Sequence, residues 1–171
     1  LQSKIDEFQP DLITFSFWGS HLHAEGEYYA FHNGLKLINN VNINEGCQDI
    51  VGGTIPSSDP KRALEVNTKI DYVLKGEPEL VYVDIANNID QKKSLNSIDN
   101  LNYLEKKNLI SNKLRPLVDP LDQLPDVQMD IFDDKNFIRP FNGKIVRMAD
   151  FELSRGCWYR CTFCLSPFQR E

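Results

Sequence analysis

Between Leu1 and about Asn88, short apolar runs alternate with longer segments of helical spacing, and that alternation leaves few folds open. Asp11-Leu-Ile-Thr-Phe-Ser16, Asp49-Ile-Val-Gly52 and Asp71-Tyr-Val-Leu74 are too short for buried helices and read as strands. Leu1 to Phe8 reads as a helix stopped by Pro10. Leu22, Tyr28, Phe31, Leu35 and Ile38 lie near helical spacing in the next segment. Asp59 to Val66 reads as a short helix with Pro60 just inside its start, and Pro78 to about Asn88 as another. Strands joined through helices are parallel neighbours, so the expectation is part of a doubly wound α/β domain over residues 1–90.

In such sheets ligands collect at the carboxyl ends of the strands. The residues there are Ser16-Phe17-Trp18-Gly19, Gly52-Gly53-Thr54 and Lys75-Gly76-Glu77. A glycine pair after a strand lets backbone approach a ligand closely, and it equally serves a tight strand-to-helix turn with no ligand. Glu77 is also favourable as a first-turn acid.

Past Asn88 the pattern changes. Leu101 to Leu104 and Leu109 to Ser111 read as a small hairpin, and Arg115 to Asp134 is rich in proline and aspartate. Residues 91–143 are therefore expected to form a hairpin and a connector ordered by docking. Lys144 to Met148 and Phe151 to Ser154 read as short strands opening a second domain over residues 144–171, the later one feeding into Arg155-Gly156-Cys157.

Three of the four cysteines lie in eight residues, Cys157-x3-Cys161-x2-Cys164, with Cys47 far upstream. This is not the dispersed framework of a disulfide-stapled secreted domain, so reduced thiols and a cytoplasmic setting are expected. Structural zinc needs a fourth ligand, which here would be Cys47, His21, His23 or His32. A redox pair of Cys161 and Cys164, or chance clustering, would also leave Cys157 incidental. Three close thiolates suit a cubane iron–sulfur cluster that leaves one iron open to a small molecule.

Charge and hydropathy narrow the partners. The net charge is −6 and no basic run exceeds two residues, which argues against a nucleic-acid backbone. No apolar run approaches the roughly 20 residues of a membrane span. The chain opens without methionine on residues that read as the interior of a helix, and a segment of a longer protein is expected.

Cys157-x3-Cys161-x2-Cys164, with Phe163 before the last cysteine and Ser154-Arg155-Gly156 before the first, resembles the cluster loop of radical S-adenosylmethionine enzymes. Upstream, residues 10–16, Ile50-Val-Gly-Gly-Thr54 and Ile70-Asp-Tyr-Val-Leu-Lys-Gly-Glu77 resemble the cobalamin-binding domain that precedes the radical barrel in a large subgroup. Leu121-Asp-Gln-Leu-Pro125 resembles the segment before that barrel. The resemblance implies that Cys157, Cys161 and Cys164 hold a [4Fe-4S] cluster and that S-adenosylmethionine chelates its open iron. An electron, from a donor such as flavodoxin or ferredoxin, then cleaves the sulfonium to a 5'-deoxyadenosyl radical. It also places Phe163 near the adenine, and Ser16, Gly52, Gly53 and Thr54 along a corrinoid.

The sequence departs from the family in having no Asp-x-His-x-x-Gly loop for a lower axial histidine, and His21 and His23 do not replace it. The first strand, its helix and the second strand of that domain, and most of the barrel, are expected outside residues 1–171. No catalytic side chain is assigned, and the substrate, a small molecule or peptide, is not readable. The leading reading is part of a cobalamin-dependent methyltransferase acting on an unactivated centre. The alternatives are a non-methylating radical enzyme (ring formation, rearrangement or methylthio transfer) and a corrinoid- or zinc-binding module without catalysis.

Overall fold

The computed structural model describes residues 1–17, 24–149, 155–157 and 159–162, and of residues 24–31 the helix but not the side chains. The chain divides into two compact units, residues 1–117 with 159–171, and residues 118–158.

In the first unit, α1 (Gln2–Phe8), β1 (Leu12–Ser16), α2 (Ala24–Asn40), β2 (Gln48–Gly52), α3 (Thr54–Ser58), α4 (Pro60–Val66), β3 (Tyr72–Leu74) and α5 (Glu79–Asp90) follow in order. β4 (Leu101–Glu105) and β5 (Asn108–Ser111) complete it. One five-stranded sheet runs β1-β2-β3-β4-β5, with the first three strands parallel and the last two antiparallel. The fold is α/β and Rossmann-like, as the alternation of runs requires. The hairpin read as part of the connector adds β4 and β5 to this same sheet. Its turn places Lys106 and Lys107 at φ 50° and 70°, the mirror-image turn that suits the twist of paired strands.

β2 and β3 are covered on both faces, which explains why their sequences are continuous apolar runs, whereas β1 leaves Thr14 and Ser16 exposed. Alternate side chains divide between two cores. Val51 and Val73 pack with Phe17, Leu35, Ile38, Ala63, Leu64 and Ile70 on one face. Ile50, Tyr72 and Leu74 pack with Val81, Ile85, Leu95, Ile98 and Leu101 on the other. α4 starts where Asp59 accepts the Arg62 amide at 3.1 Å, with Pro60 at its first position. α2 begins at Ala24, so Leu22, His21, His23, Trp18 and Gly19 lie outside the described residues.

The second unit holds short 3-10 turns at Leu121–Gln123, Met129–Ile131 and Asp134–Phe137, then the antiparallel hairpin β6 (Ile138–Phe141) and β7 (Lys144–Arg147). None of its described residues is buried. Phe137 meets Phe132 edge to face at 6.4 Å and lies under the Arg147 guanidinium at 5.5 Å. The second strand expected there, Phe151 to Ser154, lies outside the described residues.

At the amino-terminal end of the sheet one side chain violates the apolar pattern. Asp49 is 1% exposed, and among the described residues neither of its carboxyl oxygens has a hydrogen-bond partner. It sits on the Val51 side of β2, and main-chain bonds tie it to Asp71: Asp71 N–H donates to the Asp49 carbonyl at 2.9 Å, and Asp49 N–H donates to Asp71 Oδ2 at 2.8 Å. Burial first, then the Asp71 charge, pushes the Asp49 carboxyl up to about 7, against a weaker pull from Lys69. The folded chain therefore holds this proton more tightly than the unfolded chain. The associated stability is fully present below about pH 4 and is lost as pH rises through about 7. Urea unfolding from pH 4 to pH 8 should show Asp49→Asn gaining on the natural chain as pH rises, by up to about 4 kcal/mol at one pKa unit per 1.36 kcal/mol. A difference that does not change with pH would show Asp49 ionised in the folded protein.

Candidate functional site

Parallel pairing brings the carboxyl ends of β1 and β2 into register, with Ser16 opposite Gly52. The ladder extends one step further, because Phe17 N–H donates to the Gly52 carbonyl at 2.8 Å. Ser16 is exposed, Gly52 is buried, and Gly53 and Thr54 are half-buried. The four residues expected along a corrinoid are thus brought to one edge of the sheet. β3 ends beside them at Lys75-Gly76-Glu77, with Gly76 at φ 91° against the Asn100 side chain. Ser57 Oγ reaches back to the Leu74 carbonyl at 3.3 Å and ties α3 to the end of β3.

The glycine pair has a reason inside the fold. Gly53 adopts φ 100° and ψ −179°, a region open essentially to glycine alone. A Cβ there would overlap the carbonyl oxygen of Phe17 and lie 2.6 Å from its carbonyl carbon and 2.9 Å from its nitrogen. A Cβ on Gly52 would meet the Leu74 carbonyl oxygen at 3.7 Å, an ordinary contact. The space beside Gly53 is therefore filled by the chain's own backbone. What this edge offers a ligand is its main chain, the exposed Ser16 and the start of α3 at Thr54.

In the cysteine loop, Gly156 takes φ 88°, turning the chain immediately before Cys157. Cys157 is exposed and Cys161 half-buried, and both are free thiols. Cys164 and Phe163 lie outside the described residues, and among the described residues no group of three His, Cys, Asp or Glu side chains converges on a metal position. Cys47 lies before β2, at the opposite end of that strand from Gly52. Burial, with Asp49, Asp11 and Asp71 nearby, pushes its thiol up, which disfavours the thiolate that a metal needs.

A cavity of about 120 Å³ lies between α2, α3 and α4, lined by His32, Leu35, Ile55, Arg62, Ala63 and Val66. At about 30 Å³ per water it has room for a few waters and not for a corrinoid.

No protein-family model matches the chain. It is 26% identical over 165 residues to an uncharacterized methyltransferase of Pyrococcus horikoshii, covering 96% of this chain and 33% of that protein. It is also 26% identical over 169 residues to the anaerobic magnesium-protoporphyrin IX monomethyl ester cyclase of Cereibacter sphaeroides, covering 96% of this chain and 26% of that one. The chain thus spans about a third or less of these curated relatives. In fold it is similar to the radical S-adenosylmethionine methyltransferase TsrM from Kitasatospora setae. The structure of TsrM with cobalamin and [4Fe-4S] cluster bound superposes with a TM-score of 0.52 at 15% identity, covering 86% of this chain and 23% of that one. The chain therefore resembles the cobalamin-binding radical S-adenosylmethionine proteins in fold as well as in its motifs.

The Gly53 geometry makes a direct prediction. Gly53→Ala combines a forbidden backbone region with overlap on the Phe17 backbone, and should cost roughly 3 kcal/mol or more in urea unfolding. Gly46→Ala, at φ 93° with open space around it, should cost only about 1–2 kcal/mol of backbone strain. Equal losses at the two positions would mean that the contact with Phe17 contributes nothing.

Proposed function

We propose that this chain forms the corrinoid-binding and cluster-bearing part of a radical S-adenosylmethionine enzyme that transfers a methyl group to an unactivated centre. The observation that carries the proposal is the joint occurrence of two features in one chain. A sheet with the fold of a cobalamin- and cluster-containing methyltransferase is followed by Cys157-x3-Cys161-x2-Cys164. The donor set fits: three soft thiols, two of them described as free, follow a glycine turn that leaves Cys157 accessible. The sheet edge fits as well, since Ser16 and Thr54 stand at neighbouring strand ends with main chain between them.

When bound, the cluster and S-adenosylmethionine supply the radical that removes hydrogen from substrate, and the corrinoid supplies the methyl group. The roles left to this chain are to bind and to orient. Cys157, Cys161 and Cys164 would hold the cluster, and Phe163 would lie near the adenine of S-adenosylmethionine. Ser16, Gly52, Gly53 and Thr54 would line one side of the corrinoid on main chain fixed by β1 and β2. The setting is cytoplasmic, with reducing equivalents from a flavodoxin or ferredoxin, and the substrate is a small molecule or a peptide. Among the described residues no helix is long and apolar enough to cross a membrane. A second reading, radical chemistry that closes a ring without methyl transfer, is favoured by the similarity to a cyclase.

Anaerobic reconstitution of the full-length natural protein should give an oxygen-sensitive cluster of four irons, abolished by Ala at Cys157, Cys161 or Cys164 and kept in Cys47→Ala. Cobalamin should survive desalting in the natural protein and be lost in Ser16→Phe, which crowds the edge without touching the core. Turnover should yield S-adenosylhomocysteine and 5'-deoxyadenosine in near-equal amounts. Deoxyadenosine without S-adenosylhomocysteine, while substrate is consumed, would select the ring-closing reading. Stoichiometric zinc in place of iron would overturn both.

A further inference from the structure

α2 is a 17-residue helix with Gly34 in its interior, where glycine costs about 1 kcal/mol relative to alanine and so needs a reason in the packing. The reason is Phe17. A Cβ on Gly34 would overlap Cε1 of the Phe17 ring, lie 2.5 Å from Cζ and 3.0 Å from Cδ1. The ring therefore lies directly against the helix backbone. On its other side the same residue meets Gly53, whose missing Cβ makes room for the Phe17 carbonyl and nitrogen. Phe17 is 9% exposed, and its ring enters the core formed by Leu35, Ile38, Val51, Ala63 and Leu64.

One residue is thus held at both ends by the absence of side chains, its ring on α2 and its backbone on the β2–α3 turn. Its N–H bond to the Gly52 carbonyl stops it from sliding along the strand. Ser16 directly precedes Phe17 in sequence, and Thr54 directly follows Gly53. A shift of Phe17 is passed to Ser16 through the peptide bond between them and to Thr54 through the packing of the Phe17 backbone on Gly53.

We propose that Phe17, seated between Gly34 and Gly53, is the positioning residue of the ligand edge: it locks α2, the end of β1 and the β2–α3 turn into one body and so sets the spacing of Ser16 and Thr54. This rests on the corrinoid assignment above for its functional consequence, and on the packing alone for the lock itself.

The test uses the full-length protein with aquacobalamin as the probe, together with amide hydrogen exchange of the unliganded protein. Gly34→Ala should weaken cobalamin binding at least tenfold and raise exchange in residues 53–58, a segment distant in sequence from the substitution. Adding Phe17→Leu, which removes Cε1 and Cζ, should restore both. Phe17→Leu alone leaves the ring's space empty and should also raise exchange at 53–58, which keeps the test open if Gly34→Ala fails to fold. If the natural protein binds no cobalamin while exchange follows this pattern, the corrinoid assignment falls and the lock stands. Natural exchange at 53–58 in a folded Gly34→Ala or in Phe17→Leu, or failure of the double variant to restore it, overturns the lock. Natural exchange lost and restored as expected, with cobalamin affinity unchanged throughout, would reduce Phe17 to a packing role and overturn its positioning of the ligand edge.

Discussion

Everything at the carboxyl edge of the sheet depends on the backbone of Phe17 lying against the backbone of Gly53. Two main chains approach so closely there that no side chain fits between them. The contact bends the chain out of β2 straight into α3 without an intervening loop, and α3 in turn reaches the end of β3 through Ser57. The ends of β1, β2 and β3 are thereby tied to one another through Phe17, Gly53 and Ser57. Residues on such turns hold their positions because the scaffold leaves them little freedom, which is the condition for a defined binding edge.

The two ends of β2 show opposite chemistry. At the carboxyl end the strand finishes in uncharged groups, the buried Gly52 and half-buried Gly53, beside the exposed hydroxyl of Ser16. At the amino-terminal end the same strand buries Asp49, with Asp71 pressed against its amide and Lys69 turned to the carbonyls of Asn39 and Val41 at 2.8 and 2.7 Å. Those two bonds commit Lys69 to the end of α2, so its charge offsets the buried carboxyl only weakly, and Asp49 keeps its proton up to about neutral pH. A carboxyl in this state acts as a small polar filler whose cost depends on pH.

Much of the fold is legible in the sequence because burial on both faces writes itself as uninterrupted apolar runs. β1, β2 and β3 are found within a residue or so, and α4 announces itself through Asp59 and Pro60. α3 is not legible. Its five residues, Thr-Ile-Pro-Ser-Ser, have no helical period, and the turn exists because Gly53 aims the chain there. The β6–β7 hairpin has a local signal in Asn142-Gly143, at φ 47° and 73°, a dipeptide that favours the two-residue hairpin turn. The membership of β4 and β5 in the main sheet is a long-range pairing, Val73 with Asn102 and Leu74 with Leu101, that no local pattern encodes. In the candidate site, the glycine pair stands out in the sequence, but its intramolecular reason does not, since Phe17 lies thirty-six residues away by sequence number. Asp49 had a visible signal, a charge in phase with Val51 on a strand buried on both faces.

Cys47 and Cys157 stand in different environments. A thiol binds iron or zinc as the thiolate, so burial among carboxylates works against ligation at Cys47. Cys157 stands exposed after a glycine turn. Zinc chelation through Cys47 would require a partly buried thiol to ionise beside carboxyl groups, which makes it a poor fourth ligand.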